Sequence, residues 1–88
     1  MKKFEVELVN VDENNAITNS NCWGMTNINN VEGFITITDT LEEAREEAQR
    51  LAEMWQVNEN YDVIIINELE VDEDGDIIDC EEVEETEI

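Results

Sequence analysis

The residues of this chain that could do chemistry are its carboxylates. Twenty-five Asp and Glu stand against Lys2, Lys3, Arg45 and Arg50 in 88 residues, a formal net charge of −21. They concentrate at the C-terminal end. Glu68, Glu70, Asp72, Glu73, Asp74, Asp76, Asp79, Glu81, Glu82, Glu84, Glu85 and Glu87 make twelve acids in the twenty-one residues from Glu68 to Ile88, with no Lys or Arg among them. Paired carboxylates can serve general acid–base work or hold cations. Such pairs occur by chance at any spacing in so acidic a chain, so they carry no catalytic signal by themselves. Histidine is absent, which removes the usual proton carrier near neutral pH, the Ser/His/Asp and Cys/His arrangements, and any zinc site that needs His. The only glycines are Gly24, Gly33 and Gly75, so no glycine-rich phosphate loop exists. Cys22 and Cys80 form neither a disulfide framework nor a metal-ligand pair in sequence and read as reduced, partly buried thiols. The chain is expected not to be an enzyme and to need no cofactor.

One spacing is sharper. With Gly75 as a central glycine, Glu70, Asp72 and Asp74 take positions one, three and five of a twelve-residue loop, Asp76 offers a carbonyl at seven, Ile77 takes eight and Glu81 takes twelve. This resembles the EF-hand calcium loop, which implies a calcium-binding module. It departs from that loop at the first position, where Glu70 replaces Asp. The flanks also disagree, because the motif needs a preceding helix and Tyr61–Leu69 contains the β-branched run Val63, Ile64, Ile65, Ile66 of a strand. A hairpin turn accounts for the same residues without a metal, and no specific metal site is expected.

The elements that must position these acids can be read from hydrophobic periodicity. Phe4, Val6 and Leu8 alternate with Glu5 and Glu7, a strand with one wet face. Val9 and Val11 have the opposite parity, so the strand either stops near Val9 or carries a bulge. Asn10 to Asn30 holds eight asparagines and reads mostly as loop (residues 10–32), with a short strand conceivable around Cys22–Met25. Phe34–Thr38 follows as a strand opened by Gly33. Thr40 and Glu43 make a capping box for a helix from Leu41 to about Gln56, with an apolar stripe Leu41, Ala44, Ala48, Leu51, Ala52, Trp55. Glu46–Arg50 is an i,i+4 pair, and the arginines read as neutralising their own helix. Asp62–Val71 and Asp76–Val83 are then antiparallel partners about a two-residue turn at Asp74–Gly75. The expected fold is α+β: a small antiparallel sheet in β-β-α-β-β order with one amphipathic helix on one face. Residues 1–88 form one domain, with 84–88 frayed.

The acidity then restricts the function. Nucleic acid and anionic membranes are expected to repel this chain, and basic grooves to attract it. Met1–Lys2–Lys3 runs into FEVELV and not into an apolar signal segment, and no apolar run approaches the ~20 residues of a membrane span, so a cytoplasmic location is expected. On a strand, alternate residues repeat at about 6.6–6.8 Å. Glu68, Glu70 and Asp72 would therefore form a row of carboxylates, extended by Asp79 and Glu81. In size, charge and charge arrangement the chain resembles the small acidic DNA-mimic proteins of phages and mobile elements, which block restriction enzymes, CRISPR nucleases, uracil-DNA glycosylase or nucleoid proteins. That resemblance implies a non-catalytic inhibitor with anti-restriction or anti-CRISPR action, whose partner is a basic nucleic-acid-binding protein. Its binding residues would be Glu68, Glu70, Asp72, Glu73, Asp74, Asp76, Asp79, Glu81 and Glu82, with Trp23 and Met25 as apolar anchors and helix residues Glu42, Glu46 and Glu53 extending the surface. The alternatives are the cation-binding module through Glu70–Glu81 and a non-catalytic adaptor whose charge serves solubility; a homodimer stays open.

Overall fold

The computed structural model describes residues 1–22, 24–31 and 35–88. It is a small α+β fold built on a five-stranded antiparallel sheet. The elements in chain order are β1 (Lys2–Val11), β2 (Ile17–Ser20), β3 (Thr36–Thr38), α1 (Leu41–Ala52), α2 (Trp55–Asn60), β4 (Val63–Val71) and β5 (Ile77–Glu87). Strand order is β2-β1-β4-β5, and β3 also pairs with β1. Because β4 runs along β1 from Lys2 to Val9, β3 (opposite Phe4–Val6) and β2 (opposite Val9–Val11) share the other edge of β1.

The alternation in β1 divides the core into two layers. Val6 and Leu8 join Ile64 and Ile66 of β4 beneath Ala44, Leu51 and Val57 of the helices, with Phe4, Leu41, Ala48, Ala52, Met54 and Tyr61 packed around them. On the opposite face Val9 meets Val63 and Ile65, with Val11 against them. The parity switch at Val9 is thus not an end: β1 continues to Val11, its pairing with β2 shifts register between Asn10 and Val11, and its odd positions have an apolar cluster of their own.

Three expectations are corrected and one is met in part. The Asn-rich segment contains the strand Ile17–Ser20, and Asn15 adopts φ 61°, the left-handed backbone that Asn tolerates. Of the strand expected at Phe34–Thr38, Thr36–Thr38 is paired, while Gly33 and Phe34 lie outside the described residues. The helix stops at Ala52, because Met54 is extended (φ −83°, ψ 127°) and starts a second helix. That break brings Met54 and Val57 to the core and turns Trp55 outward, 65% exposed, so Trp55 is not part of the buried stripe. The final residues are not frayed: Glu84 to Glu87 pair with Ile66 to Val63, and the Ile88 amide donates to the Asp62 carbonyl.

The hairpin turn also differs. The Gly75 amide donates to the Asp72 carbonyl and the Asp72 amide to the Asp76 carbonyl, closing a three-residue loop in which Gly75 takes φ 86°. This is a type I turn followed by a left-handed glycine. The helix start is as expected: the Thr40 hydroxyl accepts from the Glu43 amide at 3.2 Å. The ion pairs are not. Arg50 pairs with Glu47, and Arg45 reaches from α1 to Glu84 on β5. Both arginines were expected to neutralise their own helix; Arg50 does so, through Glu47 and not Glu46, whereas Arg45 ties the helix to the edge strand.

Candidate functional site: an acidic edge strand and a trough on the helix-free face

β5 is an edge strand of eleven residues in which only Ile77 and Glu84 are even half-buried. Its pairing with β4 skips a residue twice, at Ile78 and at Val83. These bulges decide where the acids go. Asp79, Glu81 and Glu84 share the helix-bearing face, opposite Glu70, Glu68 and Ile66; Glu82, Glu85 and Glu87 share the other, opposite Asn67, Ile65 and Val63. Bulges re-aim side chains and twist an edge away from further pairing. The result is an edge that carries carboxylates on both sides.

On the helix-bearing face the expected row forms in part. Glu68 lies opposite Glu81 and Glu70 opposite Asp79, like charges in positions that cost stability. Two cations sit among them. The Lys2 Nζ is 2.7 Å from Glu68, and the N-terminal ammonium is 2.7 Å from Glu70. Lys2 and these four acids line a small cleft of about 110 Å³. The Lys2 ammonium is held above the ordinary lysine range, first by its hydrogen bond to Glu68 and then by the surrounding carboxylates.

The acids of the hairpin tip do a different job. Asp72 leaves the row: its Oδ1 accepts from the amides of Asp74 and Asp76, both at 2.9 Å. Asp76 accepts from the Asn27 side chain at 2.8 Å, and Asn27 and Asn29 donate to the Asp74 carbonyl. Glu73 and Asp74 remain exposed at the tip. Asp72 Oδ1 and Asp76 Oδ1 thus serve the turn, and the flanks of the calcium-loop pattern are strands β4 and β5 where that motif has helices. Among the described residues no group of three or more acids, cysteines or histidines is arranged to hold a metal ion.

Trp23 lies outside the described residues. Met25 is half-buried in a loop whose next residues, Thr26 to Ile28, bond to the hairpin: the Ile77 amide donates to the Thr26 carbonyl and the Ile28 amide to the Gly75 carbonyl, each at 2.9 Å.

What the site reading missed is the face away from the helices. An open trough of about 540 Å³ lies there, lined by Val9, Val11, Ile17, Val63 and Ile65, by Asn15 and Ile88, and by the acids Asp62, Glu82, Glu85 and Glu87. Ile17 is 43% exposed. Asp62 closes one end, its carboxylate accepting from the Val11 amide at 3.1 Å. The signal was present in the sequence, because Val9 and Val11 break the parity of β1, but only the sheet shows that the two valines meet Val63 and Ile65.

Farther along the same face is a buried polar network. The Asn67 Nδ2 donates to Glu5 at 2.9 Å and to Glu7 at 2.7 Å, and the Ser20 hydroxyl donates to Glu7. Burial raises Glu5 above the ordinary carboxylate range; the Asn67 hydrogen bond opposes this and the Glu7 charge adds to it. Burial, followed by the charges of Glu5 and Glu7, likewise pushes the Cys22 thiol up; Cys80 is exposed as a residue, but partial desolvation of its sulfur and the same two charges raise its thiol to about 11. A nucleophilic cysteine needs the reverse environment.

No described helix is long and apolar enough to cross a membrane. Comparison with protein-family models, with curated proteins and with solved structures found no match to this chain.

Proposed function

We propose that this protein is a non-catalytic, acidic interaction protein of the DNA-mimic type. In this reading it inhibits a defence nuclease of restriction or CRISPR type, or another DNA-binding enzyme, by occupying its basic nucleic-acid groove. The observation that carries the reading is the acidic edge. β5 places Asp79, Glu81, Glu82, Glu84, Glu85 and Glu87 along one exposed strand. With two residues bulged, β5 runs along nine residues of β4, about 30 Å at roughly 3.3 Å per residue, somewhat under one turn of B-DNA at about 34–36 Å. Residues on one face repeat at about 6.6–6.8 Å, roughly two of the 3.4 Å steps of a nucleic-acid strand. Of these six acids only Glu84 has a cationic partner among the described residues. A groove built for phosphates would meet carboxylates on a rigid sheet, lose its counterions and associate quickly. Like charges opposed across β4 and β5 weaken the fold, a cost that a role in binding would account for.

The test is retention of proteins from a host lysate on the immobilised protein, eluted by salt and, separately, by duplex DNA. The expected result is a nucleic-acid-binding protein that duplex DNA displaces. Replacing Glu81, Glu82 and Glu85 by Gln should weaken its retention and leave the fold intact or more stable. If nothing basic is held even at about 50 mM salt, or if what is held ignores duplex DNA, the reading is wrong.

A further inference from the structure

The apolar trough on the helix-free face has an occupant written into its dimensions and its rim. We propose that it receives a cationic amphipathic helix of the partner protein, whose apolar stripe fills the floor while its flanking Lys and Arg meet the acids on the wall. This rests on the proposed function only in taking the partner to be basic.

Width selects a helix. The floor is made by two adjacent strands, β1 and β4, with β2 on one side and β5 on the other. The walls are therefore three inter-strand spacings apart, about 14 Å at roughly 4.8 Å each, and an α-helix with its side chains is about 10–12 Å across. The floor is apolar, formed by Val9, Val11, Val63 and Ile65, and Ile17 on the β2 wall leaves an exposed aliphatic surface for a partner to cover. Charge selects the flanks. Glu82, Glu85 and Glu87 line the β5 wall and Asp62 the end, and no lysine or arginine among the described residues lines the trough. The same rim argues against a second copy of the chain, because self-docking would bring two rows of glutamates together between molecules of net charge −21. The Val83 bulge matters here as well: by skipping one residue it puts Glu82 and Glu85 on the same wall, where strict alternation would have separated them. Helix-in-groove recognition combines apolar anchors with charge in this way, the anchors setting residence time and the rim setting rate and orientation.

Two labelled peptides of equal length and charge test this on the full chain, one a Leu/Lys sequence that forms an amphipathic helix and the other with each Leu replaced by Ser. Fluorescence anisotropy at physiological salt should show the Leu/Lys peptide binding at least about ten-fold more tightly, the effect of burying a few aliphatic side chains. A Val11→Ser/Ile17→Ser double variant, checked for folding by its melting curve, should lose most of that preference and bind the Ser/Lys peptide unchanged. If that variant is unfolded, Ile17→Ser alone, at an exposed position, should reduce the preference several-fold. Equal binding of the two peptides, a folded variant that keeps the full preference, or a dimer that the peptide cannot compete with would overturn the proposal. Failure here leaves duplex-displaceable retention intact, so the trough and the mimic reading fall separately.

Discussion

Replacing Glu5 with glutamine should make this protein more stable at neutral pH, although it removes a charge from a hydrogen-bonded network. Glu5 is 4% exposed, and its carboxylate and that of Glu7 bond to the same Asn67 nitrogen at 2.9 and 2.7 Å. The two oxygens are therefore no farther apart than about 5.6 Å. At an effective dielectric near 20, two unit charges at that separation repel by about 3 kcal/mol. A neutral acceptor gives back part of this, since its hydrogen bond from Asn67 is about half as strong as one to a charged group. A net gain of about 1–2 kcal/mol remains, or roughly 4–16 °C in Tm for a chain of this size. Burial raises the folded-state pKa of Glu5 above its ordinary 4.5, so the folded protein binds that proton more tightly than the unfolded chain does. The cost of ionising Glu5 is absent well below 4.5, sets in as pH rises through the interval up to the raised folded value, and is complete above it. The advantage of the glutamine variant should follow the same course, near zero in acid and growing as pH rises until the raised folded value is passed. Thermal or urea unfolding of both proteins across this range measures the difference directly and cancels the general effect of net charge. A variant less stable than the parent at pH 7, or a difference that does not change with pH, would refute the reasoning.

The other expectations concern the hairpin, the thiols and the charge. Gly75→Ala should lower stability by about 1–2 kcal/mol, because φ 86° is left-handed and a Cβ would stand 2.6 Å from Asn29 Nδ2 and 3.1 Å from Asn27 Oδ1; chemical denaturation would check it, and a neutral result would mean that the loop can re-form with ordinary backbone. Cys80 should react with neutral iodoacetamide at pH 8 about a hundred-fold more slowly than an ordinary thiol, as a pKa of about 11 against 9.0 leaves that much less thiolate. Cys22 should be slower still until the chain unfolds, and alkylation rates in buffer and in urea separate the two states. Moderate NaCl should raise the melting temperature, since screening relieves the self-repulsion of −21 charges; a flat or falling trend would mean that repulsion is already balanced locally.

The sequence by itself determined the class of the fold, the position of the first helix and the electrostatic character, because these depend on local patterns. The 3.6-residue stripe of Leu41, Ala44, Ala48 and Leu51, the cap at Thr40 and the run Val63–Ile66 each act within a few residues of themselves. The acids are a matter of composition. What a local pattern cannot contain is register, and register depends on which strand lies beside which. Only the folded sheet decided that Val9 and Val11 meet Val63 and Ile65, that Asp72 serves the turn and not the carboxylate row, and that Arg45 crosses to Glu84. The edge strand shows this most clearly. Its acids were visible from the start as a dense cluster. Two bulges opposite β4, at Ile78 and Val83, divide them into one set beside the helix and another along the wall of the trough. A one-residue slip exchanges the faces of every residue beyond it, and such slips are set by long-range pairing with β4.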